Sequence, residues 1–182
     1  MDIFESIAKI HMSQLKYTDV LSSSGIRIIK HFYQTVSASD STILLTEQSD
    51  GSVTGFVYGC IGKQTPVSGF LKENFLRIVI TPSAFIQILK SILNRLIYRN
   101  KYSWANELVY IAVDKKYGGR GIATKLIQRL EEELTNRKIT EYYLQVFAHN
   151  PAVHLYRKLN FQIVGTIKRL DNNKYLMKKV IN

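Results

Sequence analysis

The residues whose types and spacing point to chemistry are concentrated between Glu107 and Ala123, ELVYIAVDKKYGGRGIA. This stretch reads as a buried strand running into a glycine-rich turn, which opens a helix predicted over Arg120–Asn136. The first N–H groups of a helix have no intrahelical partner and sit at its positive end, so they can bind phosphate. Gly118, Gly119 and Gly121 would bring the backbone close to a bulky anion without Cβ clashes, and Lys115, Lys116, Arg120 and Lys125 add positive charge. Two phosphate motifs compete for such a turn, and neither fits. GxxxxGK[ST] needs a Lys-Ser or Lys-Thr pair that does not follow Gly121, and GxGxxG is absent. On the turn alone, a tight strand-to-helix connection with solvated lysines stays open as an alternative.

The elements that must position this turn come from a chain of 182 residues, a length that fits a single domain over 1–182. The apolar fraction of 46% predicts a globular fold rather than disorder. Cys60 is the single cysteine, so an internal disulfide framework is excluded and a reducing cytoplasm is the expected location. It lies in an apolar strand and reads as core rather than nucleophile. The N-terminus lacks the basic-then-apolar pattern of a signal peptide. No run of about 18 uninterrupted apolar residues predicts a membrane span. The net charge of +11 favours polyanions, anionic membranes or small polyphosphorylated ligands. Its Lys and Arg residues are scattered rather than blocked, which makes nucleic acid an unlikely partner.

Periodicity predicts helices over Asp2–Leu15 and Gly25–Val36, with Ser22 to Ser24 as N-caps for the second. Ile43–Thr46 and Val53–Ile61 read as strands joined by an Asp50-Gly51 hairpin turn. Gly62–Gly69, with Pro66, reads as a loop, and Phe70–Ile80 as a helix. Pro82 then starts a helix to about Arg99. Its stripe of Phe85, Ile86, Leu89, Ile92, Leu93 and Leu96 is expected to pack in the core rather than face a membrane or partner. Strand 107–113 and helix 120–136 lead to a strand at Tyr142–Phe147. Asn150-Pro151 looks like an N-cap and N1 pair opening a helix to about Asn160. Strands at Phe161–Lys168 and Lys174–Val180 follow. The expected class is α/β with a mixed sheet and a helical insertion, about 62–100, after the first hairpin.

Two motifs in this order resemble the GCN5-related N-acetyltransferase (GNAT) superfamily. The first is a strand followed by Arg/Gln-x-x-Gly-x-Gly/Ala opening a helix, here VDKKYGGRGIATKLI with Gly121 and Ala123 at the small positions. The second resembles Asn-x-x-Ala-x-x-Leu-Tyr-x-x-x-Gly-Phe, here NPAVHLYRKLNF from Asn150 to Phe161. Three positions depart from the pattern. Gly118 stands where the family has Arg or Gln, leaving more of a pyrophosphate to backbone N–H groups, with Arg120 or Lys116 as substitutes. Asn160 replaces a glycine, but Asn tolerates the left-handed conformation. The chain also starts on a helix, so the family's first strand is expected to be absent or shortened.

The resemblance implies a mixed central sheet, flanked by helices, in which two parallel strands splay apart, and acetyl-CoA as cosubstrate. Its pantetheine arm would pair with Ile111, Ala112 and Val113, facing Leu144–Phe147 across the gap. Its pyrophosphate would sit on Gly118, Gly119, Arg120, Gly121, Ile122, Ala123 and Thr124. Tyr156 matches the family's tyrosine near the sulfur and would protonate the leaving thiolate; Asn150 would contact the pantetheine or serve only as a helix cap. Glu107 is the candidate base, its rival role being a structural carboxylate. His149 and His154 are weaker candidates, and His11 and His31 are expected at the surface or on the pocket wall. No metal is expected, because no His, Cys, Asp or Glu cluster has ligand spacing. The implied acceptor is a primary amine of a small molecule, with a nucleotide-linked aminosugar as a candidate class. A protein or peptide N-acetyltransferase and a non-catalytic acyl-CoA-binding module are the alternatives, and a homodimer is a possibility.

Overall fold

The computed structural model describes residues 2–15, 19–62, 66–98 and 104–181. Helices α1 (Ile3–Gln14) and α2 (Ile26–Val36) precede a hairpin of β1 (Thr42–Ser49) and β2 (Ser52–Cys60). Asp50 and Gly51 both take positive φ in its turn, as a tight two-residue hairpin turn requires. Three helices follow: α3 (Pro66–Glu73), α4 (Phe75–Val79) and α5 (Pro82–Ile97). The remainder runs β3 (Glu107–Val113), α6 (Ile122–Asn136), β4 (Glu141–Phe147), α7 (Ala152–Lys158), β5 (Gln162–Ile167) and β6 (Lys174–Val180).

The six strands form one sheet in the order β1-β2-β3-β4-β6-β5. Every neighbouring pair is antiparallel except β3 and β4. On one face, Ile7, Ile29, Phe32 and Tyr33 of α1 and α2 pack on Phe56, Tyr58 and Tyr110. On the other, Leu126, Ile127 and Leu130 of α6 and Tyr156 of α7 pack on Val57, Leu108, Tyr142 and Leu144. Helices on both faces are what a βαβ crossover produces. Cys60 is buried and its thiol lies 3.1 Å from the Tyr58 hydroxyl; burial pushes it up to about 11, which suits an inert core residue.

Several local expectations change. Ser22 and Ser23 join a 3₁₀ turn, Leu21–Ser23, and α2 is instead preceded by Gly25 at φ 88° with no side-chain cap. The serine hydroxyls turn back to local carbonyls, Ser23 to Asp19 and Ser24 to Val20. Such bonds compete with capping. Pro66 opens α3 rather than lying in a loop, because its fixed φ is already helical and its missing N–H costs nothing at N1; Lys63 to Thr65 lie outside the described residues. The predicted 70–80 helix is divided between the end of α3 and α4. Most consequentially, the apolar stripe of α5 is exposed rather than in the core. Phe85, Ile86, Leu89, Ile92, Leu93 and Leu96 all face outward, while Ala84, Gln87 and Asn94 face the protein.

Candidate active site

The site begins with one extra residue in β3. Tyr58 pairs with Tyr110 and the next residue, Gly59, pairs with Leu108, so Val109 has no counterpart on β2. A bulge of this kind bends the strand and raises its twist. Parallel pairing with β4 covers only Glu107↔Tyr143 and Leu108↔Leu144, and it ends where the bulge begins. Beyond that point β3 continues to Val113 and β4 to Phe147 with no ladder between them. On its other edge β3 stays paired: Ile111 with Val57, Ala112 with Phe56 and Val113 with Gly55. The result is a wedge whose inner edges carry main-chain donors and acceptors not used by a neighbouring strand.

That wedge is a cleft of about 310 Å³. Its walls include Leu108 to Val113 and Leu144 to Phe147. Ala123, Asn150, Tyr156, Asp19 and Lys174 close it. Ile111, Ala112, Val113 and Ala123, singled out from the sequence, therefore line one space together with Asn150 and Tyr156.

The glycine turn meets α6 at one end of the wedge. Gly121 precedes α6 at φ 76°, and Gly119 has φ 75°. Both lie in the left-handed region that a side chain disfavours by about 1–2 kcal/mol. The first bond into the helix runs from Lys125 N–H to the Gly121 carbonyl at 3.0 Å. Helix geometry therefore leaves the N–H groups of Ile122, Ala123 and Thr124 without intrahelical acceptors. Gly55 of β2 lets the helix start approach: a Cβ there would stand 3.0 Å from the Ala112 carbonyl oxygen and 3.2 Å from Ile122 Cγ2. Gly118, Gly119, Arg120 and Gly121 are exposed, as are Lys115 and Lys116, and the Arg120 guanidinium lies over the Tyr117 ring at 5.4 Å. Lys125 does not join these cations. It and Arg129 clasp Glu47 of β1 at 2.7 and 2.6 Å, and their contacts hold the Glu47 carboxyl below its ordinary range.

Tyr156 sits on α7 against Phe161, with ring centroids 5.5 Å apart. Burial pushes its hydroxyl up to about 12, so it carries its proton at neutral pH and can donate it. Asn150 accepts the Ala152 N–H at 2.8 Å. It thus holds the first residue of α7, whose N-cap position falls on Pro151 rather than on Asn150, while also lining the cleft. Asn160 takes φ 66°, the left-handed turn expected where the motif has glycine.

Glu107 stands at the start of β3, below the splay. Its oxygens accept bonds from Trp104 Nε1 and Gln145 Nε2, both at 2.8 Å. Burial raises its pKa despite these bonds and the nearby Lys174 charge. The cleft wall itself carries Gln145, Asp19 and Lys174. Sequence reasoning passed over Asp19 and Lys174. Asp19 accepts from the Tyr110 hydroxyl at 2.7 Å and from the Ser22 N–H at 2.9 Å. Burial lowers the Lys174 ammonium pKa, which lies 4.8 Å from the Phe147 ring centre. Nothing local marks either residue; only the fold brings them together.

The histidines separate clearly. His31, His149 and His154 are exposed. His11 is neither at the surface nor on the cleft wall: it is fully buried, with Nδ1 2.6 Å from the Tyr33 hydroxyl and Nε2 2.8 Å from Ser22 Oγ. His11 stands four residues after Ile7 and so shares its side of α1; that it is the hub of a polar cluster depends on α2 and the 3₁₀ turn.

A comparison with curated protein sequences finds no match. Solved structures share the fold. An N-acetyltransferase from Staphylococcus aureus Mu50 aligns with TM-score 0.57 and 17% identity over 96% of this chain and 93% of that one. An aminoglycoside 6'-N-acetyltransferase complexed with coenzyme A gives 0.56 and 15% over 85% and 80%. A ribosomal-protein-alanine N-acetyltransferase from Brucella melitensis gives 0.54 and 20% over 86% and 79%. The model of the acetyltransferase (GNAT) family matches residues 10–161. With its splayed parallel pair and glycine-opened helix inside that match, the chain belongs to the GNAT family and is an N-acetyltransferase that uses acetyl-CoA.

Proposed function

We propose that this enzyme acetylates the primary amine of a small molecule that also carries phosphate, a nucleotide-linked aminosugar being the favoured class. The observation that carries this is the pairing of one acid and one base, Asp19 and Lys174, on the wall of the same cleft. A carboxylate can receive an ammonium group, and a half-buried lysine can receive a phosphate oxygen.

Acetyl-CoA supplies an activated acetyl thioester. Main-chain groups of Ile111, Ala112 and Val113 hold its pantetheine arm, with Asn150 across the wedge. The N–H groups of Gly119 to Thr124 receive its pyrophosphate, with Gly118 as the entry to the turn and Lys116 and Arg120 beside it. Glu107 takes the proton of the acceptor ammonium through a water, since burial makes it a stronger base than an ordinary carboxylate. Tyr156 gives its hydroxyl proton to the departing sulfur. A second reading of the base is favoured by one observation: Asp19 lines the cleft directly, whereas Glu107 lies outside its wall.

The test is a panel of amines with labelled acetyl-CoA, comprising aminosugars with and without a nucleoside diphosphate, polyamines and peptides. Transfer is expected for the nucleotide-linked aminosugars, with Lys174→Met raising KM for them more than for the free sugars. Transfer to peptides alone would overturn the small-molecule reading and favour a protein acceptor. Coenzyme A binding with no transfer to any amine would favour a non-catalytic module.

A further inference from the structure

Helix α5 is mounted with its apolar side outward. Successive residues of an α-helix turn by about 100°, so Phe85, Ile86, Leu89, Ile92, Leu93 and Leu96 share an arc of roughly 120°. All six are exposed, Leu96 at 74%. The opposite side meets the protein through Gln87 and Asn94, exposed at only 9% and 8%. Its anchors are polar: Ser83 Oγ donates to the Ser23 carbonyl and Asn94 Oδ1 accepts the Leu170 N–H, each at 2.8 Å. Helix α4 and its flanks extend the face with Phe75, Leu76 and Ile80, the last two 78% exposed. Together with Ile97 these side chains leave on the order of 1,000 Å² of apolar surface in water, against a few hundred for an ordinary monomer.

We propose that this α4–α5 face docks on an anionic phospholipid surface, with α5 lying in the plane of the interface. Charge selects this occupant. Between Gly62 and Ser103 the sequence has seven Lys and Arg residues and a single acid, Glu73. Lys72 and Arg77 are exposed and Lys90 is partly so, next to the apolar arc. A second copy would bring two such basic surfaces together, whereas anionic headgroups attract both. Length excludes insertion across the bilayer: 16 residues fall short of the roughly 20 needed, and no helix among the described residues is long and apolar enough to cross. Between α4 and α5 runs a groove of about 380 Å³, walled by Leu71, Phe75, Ile78, Ile88, Ile92 and Leu96 with Lys72 at its edge. Its chemistry suits an acyl chain with a phosphate at the lysine. Through Ser23 and Leu170 the inward side of α5 is tied to the segments that carry Asp19 and Lys174, two residues of the cleft wall. The inference does not depend on which amine is acetylated.

The experiment is flotation of the full chain with phosphatidylcholine vesicles, with and without phosphatidylglycerol. Binding is expected only with the anionic vesicles. Leu93→Glu/Leu96→Glu should lower it roughly tenfold or more, and Lys90→Glu should weaken it. Both leucines are exposed, so the double variant is expected to keep the wild-type melting temperature and coenzyme A affinity. Absence of wild-type binding to anionic vesicles overturns the proposal. So does undiminished binding by the double variant, which would place contact on another basic surface. A concentration-dependent dimer abolished by the same substitutions, without vesicle binding, would assign the face to a second copy instead.

Discussion

Acidification should destabilise this protein through His11, and the size of the effect follows from its surroundings. The ring is fully buried, stacked on Phe56, edge-on to Tyr33 and Tyr110, and hydrogen-bonded through both nitrogens. Burial holds it down to about 4, outweighing the upward pull of the Asp19 charge. In the unfolded chain a histidine titrates near 6.5. The folded value is depressed, so the unfolded state binds a proton first as pH falls. The stabilisation is whole above about pH 6.5 and drains away between there and about pH 4. The full interval is worth about 3 kcal/mol, and about 2 kcal/mol of it is gone by about pH 5. Urea unfolding of wild type and His11→Gln at a series of pH values isolates this contribution, because other titrating groups are common to both. The advantage of wild type should shrink by about 2 kcal/mol between about pH 7.5 and pH 5. Parallel stability curves, or an NMR titration of His11 near the ordinary histidine value, would refute the reasoning. The effect reaches the site, since Ser22 joins His11 to the loop whose Asp19 lines the cleft.

Replacing Tyr156 with Phe should lower kcat about a hundredfold or more while coenzyme A affinity by calorimetry changes little; unchanged turnover would remove the hydroxyl from the mechanism. Because burial raises Glu107, the acid limb of the kcat/KM profile should lie above the ordinary carboxylate range, activity falling as pH drops through it and the base protonates. Glu107→Gln should abolish that limb; if Asp19→Asn does so instead, Asp19 is the base. Gly55→Val should push the start of α6 away from β2, because even its Cβ meets the Ala112 carbonyl at 3.0 Å. A lowered melting temperature with acetyl-CoA KM raised several-fold is expected, and an unaltered KM would show that this close approach does not set the phosphate turn.

Much of the architecture is encoded within short windows of sequence. Alternation along Glu107–Val113 and Glu141–Phe147 gives both central strands the same inside-outside burial pattern, because side chains on a strand point to opposite faces in turn. Asp50-Gly51 and Gly121 declare their turns because few residues adopt positive φ cheaply. The glycine turn, Asn150 and Tyr156 are legible for the same reason: each belongs to a contiguous motif. Longer-range consequences are not. The Val109 bulge that opens the wedge depends on how β2 and β3 pair. Lys125 reads as a phosphate-side cation until Glu47 arrives from β1. Asp19 and Lys174 meet only through the folded chain. The α5 stripe marks the sharpest division. Periodicity establishes which of its residues share a face, but not which way the face points. That direction depended on where Ser83 and Asn94 found partners, in the Ser23 carbonyl and the Leu170 amide, because local propensity carries no information about contacts made by segments far along the chain.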